Sequence, residues 1–135
     1  MKTYRQQLII TSDQPEQFLN LSYEVEECVR RSLITDGLCV VYSQHTTSAV
    51  FLENDREELY SDWSKMLGKI VPHESDYKVD YSSAGAAHMK QMLLGASVTV
   101  PITDGRMELC PRQYIMYGDF DGCREKTVLV KIIGE

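Results

Sequence analysis

The sequence predicts an α+β fold with a largely antiparallel sheet system and about three helices. Apolar residues recur at helical spacing in three segments, whereas the C-terminal third alternates apolar and polar residues in the manner of strands. A strong hairpin signal, Asp104-Gly105, joins two of these strand-like runs. The chain has 135 residues, a length that fits a single domain spanning residues 1–135.

The first part of the chain is predicted to fold as strand, helix and strand. Tyr4 to Thr11 form the opening strand, and Ser12-Asp13-Gln14-Pro15-Glu16 then supplies an N-cap, an early proline and a capping-box glutamate. A helix is therefore expected to follow, with an apolar stripe from Phe18 to Leu33 and an end at Asp36-Gly37. The next run, Leu38 to Tyr42, is apolar throughout, which predicts a strand buried on both faces.

Beyond the strand-like run Ala49 to Leu52, two further helices and four strands are predicted. Asn54, with a glutamate three residues later, indicates the start of a helix that ends before Pro72. A polar loop covers residues 73–83, and the segment from Ala84 to Leu94 predicts a short helix. The strands are predicted at residues 98–102, 106–109, 113–117 and 127–133.

Composition and charge narrow the classes of partner and compartment. The formal net charge is -6 and no basic run occurs, so the electrostatic footprint of nucleic-acid or anionic-membrane binding is missing. We therefore expect no nucleic-acid partner and no membrane partner.

The four cysteines form no C-x-x-C pair, and Cys28 and Cys39 lie in apolar contexts typical of core thiols. With a polar N-terminus and no long apolar run, the expected compartment is the cytoplasm.

The tripeptide His45-Thr46-Thr47 is the strongest sign of a functional site. It lies between the apolar runs Leu38 to Tyr42 and Ala49 to Leu52, and the second run ends in Glu53-Asn54-Asp55. An imidazole, two hydroxyls and acidic or amide groups are thus expected at the adjoining ends of two strands. Such strand ends can hold a binding site rigidly.

The three histidines form no H-x-x-x-H or H-E-x-x-H pattern, so spacing alone does not identify a metal site. His73 lies in the polar loop and fits exposure to solvent. His88 has small residues on its helical face, which fits either a hydrogen-bonded core histidine or a metal or phosphate pocket. Asp80, eight residues before His88, offers either a hard oxygen ligand or a solvated loop carboxylate.

Four other polar residues have both a structural and a functional interpretation. Asn54 is a preferred helix cap, and a cap can coexist with a phosphate or a metal-bound phosphate at the same helix end. Arg106 and Arg112 each offer paired donors for a phosphate, or pair with a surface acid. Asp121, in a turn bracketed by glycines, is interpreted as a turn residue rather than a base.

A set of short features runs in one order through nearly the whole chain. They are Gly37 and the strand after it, His45-Thr46-Thr47, Glu53-Asn54, Asp62, Val71-Pro72, Ala87-His88-Met89-Lys90, Leu94-Gly95, Val100-Pro101, Asp104-Gly105-Arg106, Leu109, Gln113 and Phe120-Asp121-Gly122. Taken together, these features resemble those of the YjbQ-like family, which is known chiefly through the label secondary thiamine-phosphate synthase.

The resemblance implies a β-sandwich-like core, assembly as a homotrimer and a polar histidine site that can hold a divalent metal. Where the family usually has a histidine, this chain has Asp80, and residues 109–113 lack the tryptophan of a further family pattern. The ligand set implied here is His45, Asp80 and His88, with His73 as the substitute for Asp80. Two nitrogens and one oxygen suit zinc, manganese or iron, and magnesium is a further candidate.

Two hypotheses from different classes follow. In the first, an enzyme resembling the secondary thiamine-phosphate synthases joins a pyrimidine-methyl diphosphate to a thiazole phosphate and releases pyrophosphate. Glu53 and Arg106 are then the expected catalytic residues, while Thr46, Thr47 and Asn54 orient substrate oxygens. The alternative is a noncatalytic trimeric module that binds a metal or a small phosphorylated ligand, and the missing family histidine and tryptophan favour it.

Overall fold

The computed structural model describes residues 1–79 and 84–135. None of the helices within these ranges is both long and apolar enough to cross a membrane. In chain order, the elements of this part are β1 Lys2–Thr11, β2 Gln17–Asn20, α1 Ser22–Ser32, β3 Asp36–Ser43, β4 Ser48–Glu53, α2 Glu57–Ile70, α3 Ala84–Leu94, β5 Ser97–Thr103, β6 Arg106–Met107, β7 Tyr114–Asp119 and β8 Glu125–Gly134.

The strands form two antiparallel sheets. The larger sheet has five strands in the order β1-β8-β3-β5-β6, and the smaller has three in the order β2-β7-β4. The neighbouring strands of both sheets pair antiparallel. This arrangement confirms the predicted α+β class with a largely antiparallel sheet system.

The three-stranded sheet is buried on both of its faces. On one face, Val50, Ile115 and Tyr117 join the core formed with the five-stranded sheet and α1. On the other, Ala49 and Met116 pack with side chains of the second core, which includes residues of α2 and α3. The result is a layered molecule in which the small sheet lies between the large sheet and two helices.

The hairpin predicted at Asp104-Gly105 is confirmed. Thr103 of β5 pairs with Arg106 of β6, so the two residues between them make the whole connection. Asp104 and Gly105 both have positive φ, at 52° and 79°, as a two-residue type I′ turn requires. The helix predicted from Ala84 to Leu94 is also confirmed, as α3.

The helix predicted to begin near Phe18 is wrong in its first part. Residues Gln17–Asn20 form strand β2, and α1 begins only at Ser22, without a side-chain cap on its N-cap residue Leu21. Phe18 packs in the second core with α2 and β7, away from the stripe that α1 buries. Pairing of β2 with β7 therefore overrides the local capping signal.

Two other local predictions are also corrected by the structure. The N-cap of α2 is Arg56, not Asn54, and no side chain caps it; the amide oxygen of Asn54 instead accepts the N–H of Asp55. Strand β3 is buried on one face only, since Leu38 and Tyr42 are both more than two-fifths exposed. The buried side chains of this strand are Cys39, Val41 and Ser43.

Two glycines lie opposite each other where β3 meets β8, at Gly37 and Gly134. A Cβ atom added to Gly37 would lie 2.0 Å from the carbonyl oxygen of Ile133, a backbone atom that cannot turn away. We therefore expect Gly37→Ala to lower the free energy of unfolding by about 1–3 kcal/mol, measured by urea denaturation.

Gly68 supplies the matched control for this substitution. It lies inside α2, and an added Cβ would meet no atom within 4 Å. Gly68→Ala is expected to raise the free energy of unfolding by up to about 1 kcal/mol, because alanine is the better helix former. Equal effects of the two substitutions would contradict the close approach of β3 and β8.

Candidate functional site

A polar cavity of about 300 Å³ opens between the β3–β4 turn, α3 and the β7–β8 loop. The two imidazoles that the sequence analysis singled out, those of His45 and His88, both line it. We call this cavity the His45 pocket, and its lining residues are His45, Thr46, Thr47, His88, Asp121 and Arg124.

The β3–β4 turn is held in place from two sides. Within the turn, the hydroxyl of Ser43 lies 3.2 Å from the carbonyl oxygen of His45, to which it donates. Across the pocket, the carbonyl oxygen of Thr47 accepts the N–H of Phe120 at 3.1 Å. The second bond ties the turn to the β7–β8 loop, so two walls of the pocket are fixed to each other.

Helix α3 brings His88 to the pocket. Its residue Ala87 is 1 % exposed and belongs to the second core. The buried ammonium of Lys90 lies 3.2 Å from a carboxylate oxygen of Glu16 and 5.6 Å from the ring centroid of Phe120. These contacts anchor the turn of the helix that carries His88.

The ring of His45 is bound from behind by the backbone of β8. Its Nε2 accepts the N–H of Thr127 at 3.1 Å, which assigns the ring proton to Nδ1. Burial lowers the pKa of His45, and the positive charges of Lys126 and Arg124 lower it further, against a smaller opposing effect of Asp119. The neutral ring therefore has a hydrogen, and no free lone pair, to offer a ligand.

A buried ion pair lies directly behind the pocket. The ammonium of Lys126 lies 2.6 Å from Oδ1 of Asp119, and the two side chains are 0 % and 1 % exposed. The same ammonium donates to the hydroxyl oxygens of Thr47 and Ser48, each at 2.9 Å. All three hydrogens of the ammonium group thus have an acceptor.

Asp119 is the centre of a larger polar network. Its Oδ2 accepts the hydroxyl of Ser12 at 2.7 Å, while its Oδ1 accepts the hydroxyl of Ser48 and the N–H of Asp121, each at 3.2 Å. Ser12 in turn accepts the N–H of Cys123 at 3.1 Å. The carboxylate therefore joins the end of β1, the start of β4 and the β7–β8 loop.

The exposed side of the pocket carries a second, weaker ion pair. One guanidinium nitrogen of Arg124 lies 3.0 Å from a carboxylate oxygen of Asp121, and the two side chains are 55 % and 41 % exposed. Exposed pairs of this kind stabilise a protein by only about 0–1 kcal/mol. The guanidinium can therefore turn from Asp121 to a bound anion at little cost.

The structure distributes the predicted site residues over both ends of the three-stranded sheet. Thr46 and Thr47 lie in the His45 pocket beside Ser48, the first residue of β4. Glu53 is the last residue of β4, followed by Asn54, and five strand steps of roughly 3.3 Å put the two ends about 17 Å apart.

Arg106 lines a different cavity of about 570 Å³. That cavity also contains Tyr114, which pairs with Glu53 at the far end of the small sheet. The two predicted catalytic residues, Glu53 and Arg106, are thus both remote from the histidines.

The predicted metal ligands do not form a complete set within the described residues. Asp80 lies outside them, and His73 is an exposed residue of the loop after α2. Within residues 1–79 and 84–135, no group of three or more histidine, cysteine, aspartate or glutamate side chains could hold a metal ion. His45, hydrogen-bonded as it is to Thr127, does not fit a metal ligand, because neither ring nitrogen has a free lone pair.

Sequence reasoning missed three charged residues of the site. Arg124 lines the pocket, and the ion pair of Asp119 and Lys126 lies behind it. One signal for Lys126 was present, because it alternates in phase with the buried residues Val128, Val130 and Ile132 of β8. A charged side chain on the buried face of a strand needs a buried partner. The exposed Arg124 gave no comparable signal.

Comparison with known proteins decides the family. The family model described as UPF0047 protein YjbQ-like matches residues 6–135. The chain belongs to the YjbQ-like family. A UPF0047 protein of Archaeoglobus fulgidus is 36% identical over 118 residues, which cover 87% of this chain and 91% of the relative. A UPF0047 protein of Methanothermobacter thermautotrophicus is 31% identical over 136 residues, which cover 100% and 95%.

Solved structures of YjbQ-like proteins share the fold. An uncharacterised conserved protein of this family from Clostridium acetobutylicum is 32% identical, with a TM-score of 0.89 over 94% of this chain and 98% of that one. A YbjQ-like protein of unknown function from Sulfolobus solfataricus, at 24% identity, has a TM-score of 0.94 over 99% of both chains. These likenesses confirm the YjbQ-like α+β fold expected from the sequence.

The lowered pKa of His45 makes the stability of the fold depend on pH. The folded state holds fewer protons on this ring than the unfolded state, whose histidine titrates near about pH 6.5. The stability that the neutral ring contributes to the fold is therefore fully present above about pH 6.5. This stability is lost as the pH falls from about 6.5 towards the lower pKa that His45 has in the folded state. Urea unfolding should show a smaller acid loss of stability in His45→Asn than in the wild type.

The control for this prediction is His73→Asn, a substitution at an exposed loop position. This variant should keep the acid loss of the wild type. A His45→Asn variant that loses stability in acid as steeply as the wild type would show that the ring is not held neutral in the fold. An NMR titration of His45 gives the same answer independently, since its pKa must lie below about 6.5.

Proposed function

We propose that this YjbQ-like protein is an enzyme that binds a small phosphorylated substrate in the His45 pocket and promotes the departure of a diphosphate group. The observation that carries the proposal is the hydrogen bond from Thr127 to His45, which leaves the ring with only an N–H to offer. The reaction to test is the one implied by the resemblance, the joining of a pyrimidine-methyl diphosphate to a thiazole phosphate.

The groups around the pocket favour a ligand rich in hydrogen-bond acceptors. His45 contributes its Nδ1–H, and Arg124 contributes guanidinium N–H groups that its exposed pairing with Asp121 does not exhaust. Phosphate and diphosphate oxygens accept hydrogen bonds and match the planar donor pair of arginine. The cavity, at about 300 Å³, is at the lower end of the range for small-molecule sites.

The proposed chemistry needs donors at the place where negative charge grows. In the reaction, the ring nitrogen of the thiazole phosphate forms a bond to the methylene carbon with its lone pair, the bond from that carbon to the diphosphate oxygen breaks, and the diphosphate leaves with the electron pair of the broken bond. Donors that are already oriented stabilise this charge without reorganising during the step. Here His45 is oriented by Thr127, and the pocket wall beside it is fixed by the bond between Thr47 and Phe120.

A divalent metal, whether zinc, manganese, iron or magnesium, is a separate proposal for the same pocket. His88 is the lining imidazole that would hold it, and the bound state of His45 argues against a shared ligand set.

The homotrimer and the cytoplasmic location also remain proposals. The outer face of the five-stranded sheet exposes apolar surface at Ile9, Leu38 and Tyr42, which supports assembly. Light scattering of the purified protein tests the homotrimer.

The cytoplasmic location is supported by the free thiols of Cys28 and Cys39, which are buried in the main core and fit a reducing compartment. Burial raises the pKa of Cys39 to about 12.

A turnover assay with the two phosphorylated precursors tests the enzyme proposal. We expect the wild type to form product, and His45→Ala to lower kcat at least about a hundredfold, because a preorganised donor to the leaving group is lost. Product formation is followed by chromatography. Binding of the precursors without turnover in the wild type would instead support the noncatalytic module.

Two arginine variants separate the two cavities. Arg124→Gln should weaken binding of inorganic pyrophosphate about tenfold, because a charge-assisted hydrogen bond is lost. Arg106→Gln should leave the affinity unchanged, since Arg106 lines the other cavity. The opposite pattern would move the substrate to the cavity of Arg106 and overturn the proposal.

Elemental analysis after incubation with each divalent metal tests the metal proposal. His45→Ala is expected to keep the metal content of the wild type, because neither ring nitrogen of His45 has a free lone pair for a metal. His88→Ala is expected to lose whatever metal the wild type holds. Loss of metal in His45→Ala would contradict the Nδ1–H tautomer assigned above.

A further inference from the structure

The least expected group near the pocket is the ammonium of Lys126, which is wholly buried and does not itself line the cavity. We propose that Lys126 is a positioning residue that makes the hydroxyl of Thr47 a donor to the bound phosphate or diphosphate. This inference rests on the proposed function, and it identifies a residue that acts on the ligand only through its neighbour.

The direction of the hydrogen bond between Lys126 and Thr47 carries the argument. An ammonium group has three donors and no acceptor, so Oγ1 of Thr47, at 2.9 Å, must accept. The hydroxyl hydrogen of Thr47 is then free to donate elsewhere. No acceptor for it is found within residues 1–79 and 84–135, whereas Thr47 lines the pocket.

The ion pair keeps Lys126 from turning away from Thr47. Its other two hydrogens are taken by Asp119 and Ser48, at 2.6 and 2.9 Å. Asp119 is itself held by the hydroxyl of Ser12. A ligand can therefore neither recruit the ammonium directly nor reverse the hydroxyl of Thr47 without breaking a buried bond.

This arrangement strengthens the donor as well as orienting it. A hydroxyl that accepts a bond from a cation is polarised, and hydrogen bonds strengthen one another in a medium of low dielectric constant. Thr46 provides the internal comparison, since it lines the same pocket on the exposed side of the turn. Its hydroxyl has no bond to Lys126.

The test measures the affinity for inorganic pyrophosphate by titration calorimetry. The variant to test combines Lys126→Met with Asp119→Asn. This double variant removes both charges of the ion pair together, so no uncompensated charge remains in the core. We expect this double variant to bind pyrophosphate about tenfold more weakly than the wild type. In a Thr47→Val background, the same double change should have no further effect on the affinity.

The matched background is Thr46→Val, in which the double change should still cost about tenfold. A purely structural role of the ion pair would lower the affinity equally in the Thr47→Val and Thr46→Val backgrounds, and that result would overturn the inference. If the wild type binds no pyrophosphate, both the proposed function and the inference about Lys126 fail. If the wild type binds pyrophosphate and the double change lowers the affinity equally in both backgrounds, the inference about Lys126 fails and the proposed function stands.

A second measurement applies even if the double variant does not fold. The side chain of Lys126 is 0 % exposed. Because burial slows exchange of the ammonium hydrogens with solvent, we expect their NMR signals to be observable in the wild type. Pyrophosphate should shift them in the wild type and in Thr46→Val, but not in Thr47→Val. Unshifted signals in a saturated wild type would overturn the role of Lys126 and leave the proposed function standing.

Discussion

The buried ion pair between Lys126 and Asp119 is the interaction around which the polar groups behind the pocket are arranged. Lys126 belongs to the five-stranded sheet and Asp119 to the three-stranded sheet, so the pair fastens the two sheets together at the edge where the cavity opens. Loss of one partner alone would leave an uncompensated charge in the core, at a cost of about 3–5 kcal/mol. The hydroxyls around the pair meet its remaining hydrogen-bonding needs.

Much of the fold could be predicted from local patterns, because alternation and turn residues are properties of neighbouring positions. The hairpin at Asp104-Gly105 and helix α3 are examples. The misplaced helix start shows the limit of such patterns. Ser12 has the residue type of a helix cap, yet its hydroxyl donates to Asp119, far away in the sequence. A long-range contact of this kind leaves no trace in the local spacing.

The candidate site was predictable in part. His45-Thr46-Thr47 lies between two strands, as the sequence indicates, and His88 reaches the same cavity. Glu53 is close to His45 along the chain, but β4 carries it to the other end of the small sheet. The tautomer of His45 was also beyond prediction, since it follows from a backbone group on β8. Sequence identifies the residue types, whereas the pairing of distant strands decides which atoms they present.

The burial of β7 on both faces has a consequence for how the molecule tolerates change. A strand with core residues above and below cannot slip by one position without exchanging its two sets of neighbours. Asp119 is the last residue of that strand, so the packing of the strand on both faces also fixes the position of Asp119. Changes on the exposed rim around Arg124 therefore leave the packing of the core intact, whereas alterations deep in the small sheet would be transmitted to the chemistry of the cavity.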